Sequence, residues 1–298
     1  MTDSRHLRVM SFNVRQMDGD DGEYAWERRK DVLVETIRMH NPALLGTQEI
    51  FAGQAAFILD RIPSLQCFGR GRYGDDRDKH NQVFFDRRRF SLVEGGEAWF
   101  SRTPEIPGSC DWGIPRPRMV TWGRLRQTAG PEILILNTHL PYGRAADEAR
   151  RQSALVILHK IAELPAGLPL FLTGDFNTPA DGEVYAMLTS ELNDAWKTAQ
   201  ETRGPEGTLH GFGRFKGSRR IDWVLHRNAG ITLEAETVTH TSGGLYPSDH
   251  FPVSATFLLQ PAMESRLRPM PGVETTPIDN ANPVATLPAN PAPHPRMS

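Results

Sequence analysis

Apolar and polar side chains alternate over residues 7–15 (Leu-Arg-Val-Met-Ser-Phe-Asn-Val-Arg), and polar Asn13 and Arg15 arrive at the end. That two-residue period predicts a strand with one buried face. From Trp26 to His40 the spacing of Trp26, Leu33 and Ile37 predicts a helix, stopped by Asn41-Pro42. A second apolar strand is predicted over 42–49, closing on Glu49, and a helix over 54–61. Residues 81–85 and 90–100 predict two strands, joined as one hairpin through 86–89, and 121–127 and 132–137 predict another pair. The last of these delivers Asn137-Thr138-His139. Residues 145–164 carry a helical stripe at Leu155, Leu158, Ile161 and Leu164. The run from 168 to 175 predicts a buried strand ending in Asp175 and Asn177, with Phe176 turned to the opposite face. After the Thr178-Pro179 break a short helix is predicted over 181–188. Residues 219–226 form a strand with Asp222 near its start, and Ser248-Asp249-His250 leads into the strand that ends at Leu259.

Strands that alternate with helices but also arrive in runs predict an α/β sheet sandwich covered by helices. The 298 residues fall into a catalytic body over 1–260 and a tail over 261–298. The tail holds nine prolines and no periodicity, so it is expected to be disordered. The Pro- and Gly-rich connection over 103–118 is long enough to be functional, with Trp112, Arg116 and Arg118 expected at a substrate mouth. The acidic loop over 18–23 is expected to be solvated. A balance of 34 basic against 36 acidic residues, net charge -2, argues against holding long nucleic acid by bulk charge. Two cysteines, Cys67 and Cys110, make neither a metal cluster nor a disulfide framework, and the start has no signal-type apolar core. A soluble, cytoplasmic chain without membrane contact is the expectation.

The polar residues at strand ends carry the chemistry: Asn13, Glu49, His139, Asp175, Asn177, Asp222, Asp249 and His250. Carboxylates with amides and no cysteine suit a hard ion, Mg²⁺ or Mn²⁺, better than zinc. An ion beside histidines and amides can polarise a phosphoryl oxygen while a carboxylate or histidine orients the attacking water. Each residue has a plainer role open to it. Glu49 could sit in a first helical turn, His139 in the core, Asp222 in a pair with Arg219 or Arg220, and Asp249 at a turn cap. Independent caps and turns would not all follow apolar strands.

Six motifs in order resemble the endonuclease/exonuclease/phosphatase superfamily. They are Ser11-Phe12-Asn13-Val14-Arg15, Gln48-Glu49, Asn137-Thr138-His139-Leu140, Gly174-Asp175-Phe176-Asn177, Arg220-Ile221-Asp222 and Ser248-Asp249-His250. The resemblance implies a four-layered α/β sandwich, two mixed sheets face to face with helices outside, and divalent-metal-dependent cleavage of a phosphate ester. It assigns Glu49 as principal metal ligand with Asn13 and Asp249 near the ion. Asp175 would position or deprotonate water, Asn177 hold the scissile phosphate, His139 bond a phosphate oxygen, and Asp222 orient His250. Arg15, Arg118, Tyr142 and His210 are the expected substrate contacts. Within the superfamily the chain is similar to a bacterial branch of hydrolases through Trp26-Glu27-Arg28-Arg29-Lys30, Thr103-Pro104, Thr121-Trp122 and His210-Gly211-Phe212. It departs at Arg15, at Lys79-His80-Asn81-Gln82, which lacks the Glu that branch often shows, and at Pro141-Tyr142-Gly143-Arg144.

The resulting expectation is a monomeric Mg²⁺- or Mn²⁺-dependent phosphoesterase acting on a small or medium phosphorylated metabolite, mono- or diester. A nuclease is the alternative, with Arg70, Arg72, Arg116, Arg118, Tyr73 and Trp112 as its basic and aromatic track. A catalytically idle binding domain and a sphingomyelinase- or inositol-phosphatase-like activity rank below.

Overall fold

The computed structural model describes residues 5–215 and 219–259. The tail expected over 261–298 lies outside them. The first half of the chain gives β1 (His6–Asn13), α1 (Trp26–His40), β2 (Leu44–Gln48), α2 (Ala52–Arg61), β3 (Leu65–Phe68), β4 (Val83–Asp86), β5 (Phe90–Trp99) and β6 (Met119–Gln127). The second gives β7 (Ile133–His139), α3 (Asp147–Glu163), β8 (Leu170–Asp175), α4 (Glu183–Thr189), β9 (Asn193–Asp194) and α5 (Ala195–Thr198). It closes with β10 (Glu201–Arg203), β11 (Asp222–Arg227), β12 (Ile231–Thr237) and β13 (Val253–Leu258). Seven strands form one sheet in the order β10-β12-β13-β1-β2-β4-β3, and six form the other as β5-β6-β7-β8-β11-β9. Both are mixed: β1 runs parallel to β2 and antiparallel to β13, and β7 parallel to β8 and antiparallel to β6.

Strand alternation builds three apolar layers. Val9, Leu44 and Phe85 from the first sheet meet Ile135, Phe171 and Val224 from the second in the middle of the sandwich. The opposite faces carry Met10, Leu45 and Phe84 against Leu33, Ile37 and Ile58 of α1 and α2. Leu134, Leu136 and Leu172 face Ala154, Ile157 and Ile161 of α3. The central strands are therefore apolar on both faces, as such doubly covered strands must be. Each buried large side chain contributes roughly 1.5–3 kcal/mol relative to exposure. Toward one end the middle layer turns polar. Asn137 accepts from Gln48 Nε2 at 2.7 Å and Thr173 Oγ1 at 3.0 Å, and donates to the Thr47 carbonyl at 2.8 Å. The sheets approach so closely here that a Cβ on Gly46 would stand 2.0 Å from Thr173 Oγ1.

Two expectations are corrected. The strands β4 and β5 are not a hairpin: β2 and β3 already occupy both edges of β4. The connection, held by Asp86 Oδ1 accepting from Arg88 N at 3.0 Å and Nε at 2.9 Å, instead hands the chain to the other sheet, where β5 pairs with β6. In α3 the expected stripe holds at Leu158, Ile161 and Leu164, which join the core, but Leu155 is 43% exposed and Ala149, Ser153, Ala154 and Ile157 are buried beside them. Small side chains let that helix lie close on the sheet, so burial followed fit rather than residue size.

Candidate active site

Three neighbouring strands of the six-stranded sheet end at one level. His139 pairs in register with Asp175, and Asp175 with Asp222, so β7, β8 and β11 present imidazole and two carboxylates in a row. From the facing sheet Asn13, last residue of β1, donates its amide to Asp175 Oδ2 at 3.0 Å. Asp175 Oδ1 accepts the Asn177 backbone N–H at 3.0 Å. His139 Nε2 lies 3.3 Å from Asp175 Oδ2, and His250 Nε2 lies 3.9 Å from it. His250 Nδ1 meets Asp222 Oδ2 at 2.9 Å, while Asp222 Oδ1 is buried without a hydrogen-bond partner among the described residues.

Burial, then the charge on Asp222, raises the Asp175 carboxyl to about 7. For His250 burial disfavours the charged ring, but Asp222 and then Asp175 outweigh it and hold the imidazolium well above its ordinary range. His139 is driven well below its ordinary value by burial and by Arg118, Arg72 and Lys79, so it is neutral. The row thus joins a cationic and a neutral imidazole across one proton-accepting carboxylate.

Glu49 stands just past β2 with left-handed backbone, φ 62°, as do Arg15 and Asn177 at 55° and 51°. Such non-glycine geometry is costly and gathers where a side chain must be aimed. Glu49 Oε2 meets Lys79 Nζ at 3.1 Å and the Gln16 backbone N–H at 3.4 Å. Burial works to raise its pKa, yet Lys79, Arg118 and Arg15 hold it at about 2. Arg72, itself buried, lies 3.6 Å from Asp78. Arg118 reaches only the His139 carbonyl, at 3.5 Å, with no carboxylate within 4.0 Å among the described residues. Glu49 is an ionised oxygen donor that already holds a cation, and the rim offers no sulfur. These donors fit a hard divalent ion. Asp175, Asp222 and His250 also bring ligand atoms within 4.8 Å of one another. There, however, His250 Nδ1 is already engaged by Asp222 Oδ2.

Not every expected residue meets the centre in the expected way. The Asn177 side chain donates to the Leu140 carbonyl at 3.1 Å; its left-handed turn, not a shared strand face, brings it to Asp175. Asn13 Oδ1 accepts from the Arg15 backbone at 3.0 Å. Asp249 Oδ2 lies 3.6 Å from Arg15, whose guanidinium forks onto Asp21 at 2.7 and 3.0 Å. The 18–23 loop is solvated as expected at Asp18, Asp20, Gly22 and Glu23, but Asp21 within it is buried as the partner of Arg15. His210 is 3% exposed and stacked on Phe251 at 3.9 Å. Tyr142 is 80% exposed. Trp112 packs with the outer helical layer, in a groove with Leu155 and Lys160 of α3, and Arg116 is exposed.

Other participants carried no periodic signal. Lys79 and Arg72 lie in an irregular charged stretch. Arg29, wholly buried, donates from its guanidinium to the carbonyls of Val14 (2.7 Å), Pro247 (2.8 Å), Arg15 (2.8 Å), Tyr24 (3.0 Å) and Gln16 (3.2 Å).

Two packed mixed sheets with an acid–imidazole row at one rim define the class of α/β sandwich to which the chain belongs. A family model described as the Endonuclease/Exonuclease/phosphatase family matches residues 10–250, and the chain belongs to that family, whose members are typically divalent-metal dependent. It is similar to the structure of a mannosyl-6-phosphatase of Bacteroides thetaiotaomicron at 30% identity and TM-score 0.79, over 85% of this chain and 100% of that one. It is 26% identical to a probable RNA exonuclease of Schizosaccharomyces pombe over 63% of this chain, which spans only 39% of that relative's length. Nocturnin of Xenopus laevis is 23% identical over 85% of this chain and 72% of its own. No helix among the described residues is long and apolar enough to cross a membrane.

Proposed function

We propose that the chain hydrolyses a phosphate ester of a small or medium phosphorylated metabolite with Mg²⁺ or Mn²⁺ held at Glu49, and that Asp175 is the base. The observation that carries this is Asp175 itself: a buried carboxylate with a pKa of about 7, fixed by Asn13 and Asn177 and flanked by His139 and His250. A base poised near working pH takes a water proton most effectively. The water oxygen forms a bond to phosphorus, its proton passes to Asp175, the ester P–O bond breaks, and the departing oxygen leaves as the alcohol after taking a proton from water. The His250 imidazolium, oriented by Asp222, faces the charge that builds on the phosphoryl oxygens, and neutral His139 donates a further hydrogen bond. A divalent ion at Glu49 supplies polarisation of a phosphoryl oxygen and steadies the leaving oxygen.

The similarity to a mannosyl-6-phosphatase supports a small substrate. Similarity to a probable RNA exonuclease and to nocturnin favours the second reading, a nuclease. Against it, the expected basic and aromatic track is broken, since Trp112 is drawn to α3 and Arg72 faces Asp78. A monomer in the cytoplasm, with Cys67 and Cys110 as free thiols, belongs to the same proposal. The test is a screen of phosphomonoesters, phosphodiesters and single- and double-stranded nucleic acid with either ion. Cleavage of small esters that Asp175→Asn and His250→Ala each lower by roughly 10²-fold or more is expected; normal turnover in both variants ends the assignment.

A further inference from the structure

The ammonium of Lys79 is paired with the Glu49 carboxylate that an incoming cation needs. Both side chains are mostly buried, 13% and 14% exposed, and Nζ meets Oε2 at 3.1 Å. Lys79 is no wandering surface residue. The next residue, His80, donates its backbone N–H to the Ile50 carbonyl at 2.8 Å, and the Lys79 carbonyl accepts from Arg72 N at 3.0 Å. The chain on either side of the pair is thereby stitched together. Nearby, Arg118 has no carboxylate within ion-pair reach among the described residues and extends only to the His139 carbonyl at 3.5 Å.

We propose that Lys79 is an exchangeable counter-ion: it holds Glu49 until a divalent ion takes the carboxylate, then transfers to a substrate phosphate oxygen beside Arg118, so that ion and phosphate bind cooperatively. This rests on the reading of Glu49 as an ion ligand given above. An ammonium and a dication gathered at one carboxylate repel each other at contact range, so one displaces the other. The lysine stem is flexible and its head carries three donors, which suits a move from carboxylate to phosphate. A tetrahedral dianion then compensates the charge that the ion brought. By linkage, an anion that favours the moved lysine must tighten the ion, and the ion must tighten the anion.

Calorimetric titration of the full chain with Mn²⁺, with and without sulfate as a phosphate-shaped dianion, reads this directly and needs no turnover. In the native protein sulfate is expected to tighten Mn²⁺ binding by about tenfold or more. Lys79→Met and Lys79→Gln, two chemically different replacements, are expected to bind Mn²⁺ roughly tenfold tighter without sulfate, with the sulfate effect falling below about threefold. Unchanged Mn²⁺ affinity in both Lys79 variants, alongside a Glu49→Gln variant that loses the ion, overturns the role of Lys79 alone. A Glu49→Gln variant that binds Mn²⁺ as tightly as the native chain overturns the ion-ligand reading and the proposal with it.

Discussion

Two buried carboxylates stand at the same rim and have been pushed in opposite directions. Asp175 has a second carboxylate in register beside it and is raised to about 7. Glu49 has Lys79, Arg118 and Arg15 around it and is held at about 2. Burial alone would raise both, so neighbours decide. The contrast divides the labour: a carboxylate near neutrality can take a proton, and one that never protonates can hold a cation. Hydrogen bonds of fixed geometry surround the first, whereas the second is matched by a point charge that can be exchanged.

The contrast is broken most severely at Asp175. Asp175→Asn should lower kcat/KM by roughly 10²–10⁴-fold, the contribution expected of a general base, as read by steady-state kinetics on any ester the screen identifies. Next comes the cause of its high pKa. Asp175 acts only when ionised, so native kcat/KM should fall as pH drops through about 7. Asp222→Asn removes the like charge, so the acid limb should move to lower pH while the plateau falls about 10²-fold. A limb that stays near 7 would show that burial, the larger cause, sets the shift without Asp222.

Smaller, and opposite in sign, are the effects on stability. A raised carboxyl contributes stability that is full below its ordinary 3.8 and lost as pH rises through about 7. A lowered one contributes stability that is full above 4.5 and lost as pH falls through about 2. At pH 8, then, Asp175→Asn should stabilise and Glu49→Gln destabilise, each by roughly 2 kcal/mol in urea unfolding. Shifts of the same sign would remove the distinction. The smallest effect is expected at Tyr142, 80% exposed, where substitution by Ala should change KM less than about twofold; a larger rise would mark it as a substrate contact that binds strongly.

The strand ends were legible because an apolar run that stops on an acid or an imidazole leaves few places for that group to go. Asn13, His139 and Asp175 close their strands in this way, and Asp222 begins β11 while His250 stands just before β13. Arg72 was read only as part of a basic track and Lys79 only as part of a departing segment, since both lie between elements, where no period reports which charge faces inward. The false hairpin at 86–89 shows a related limit. A short turn between two strands ordinarily pairs them, and only the saturation of β4 by β2 and β3 sends the chain to the second sheet. Nor did β12, second from the edge of its sheet and carrying interleaved glutamates, announce itself by an apolar run.

Arg29 carries a last consequence. One guanidinium anchors backbone from positions 14–16, 24 and 247, so chain segments more than two hundred residues apart share a mooring. Anyone re-engineering this mouth for another substrate cannot swap the loop bearing Arg15 independently of the one leading to Asp249. The two would have to be transplanted as a set, with the first turn of α1 included.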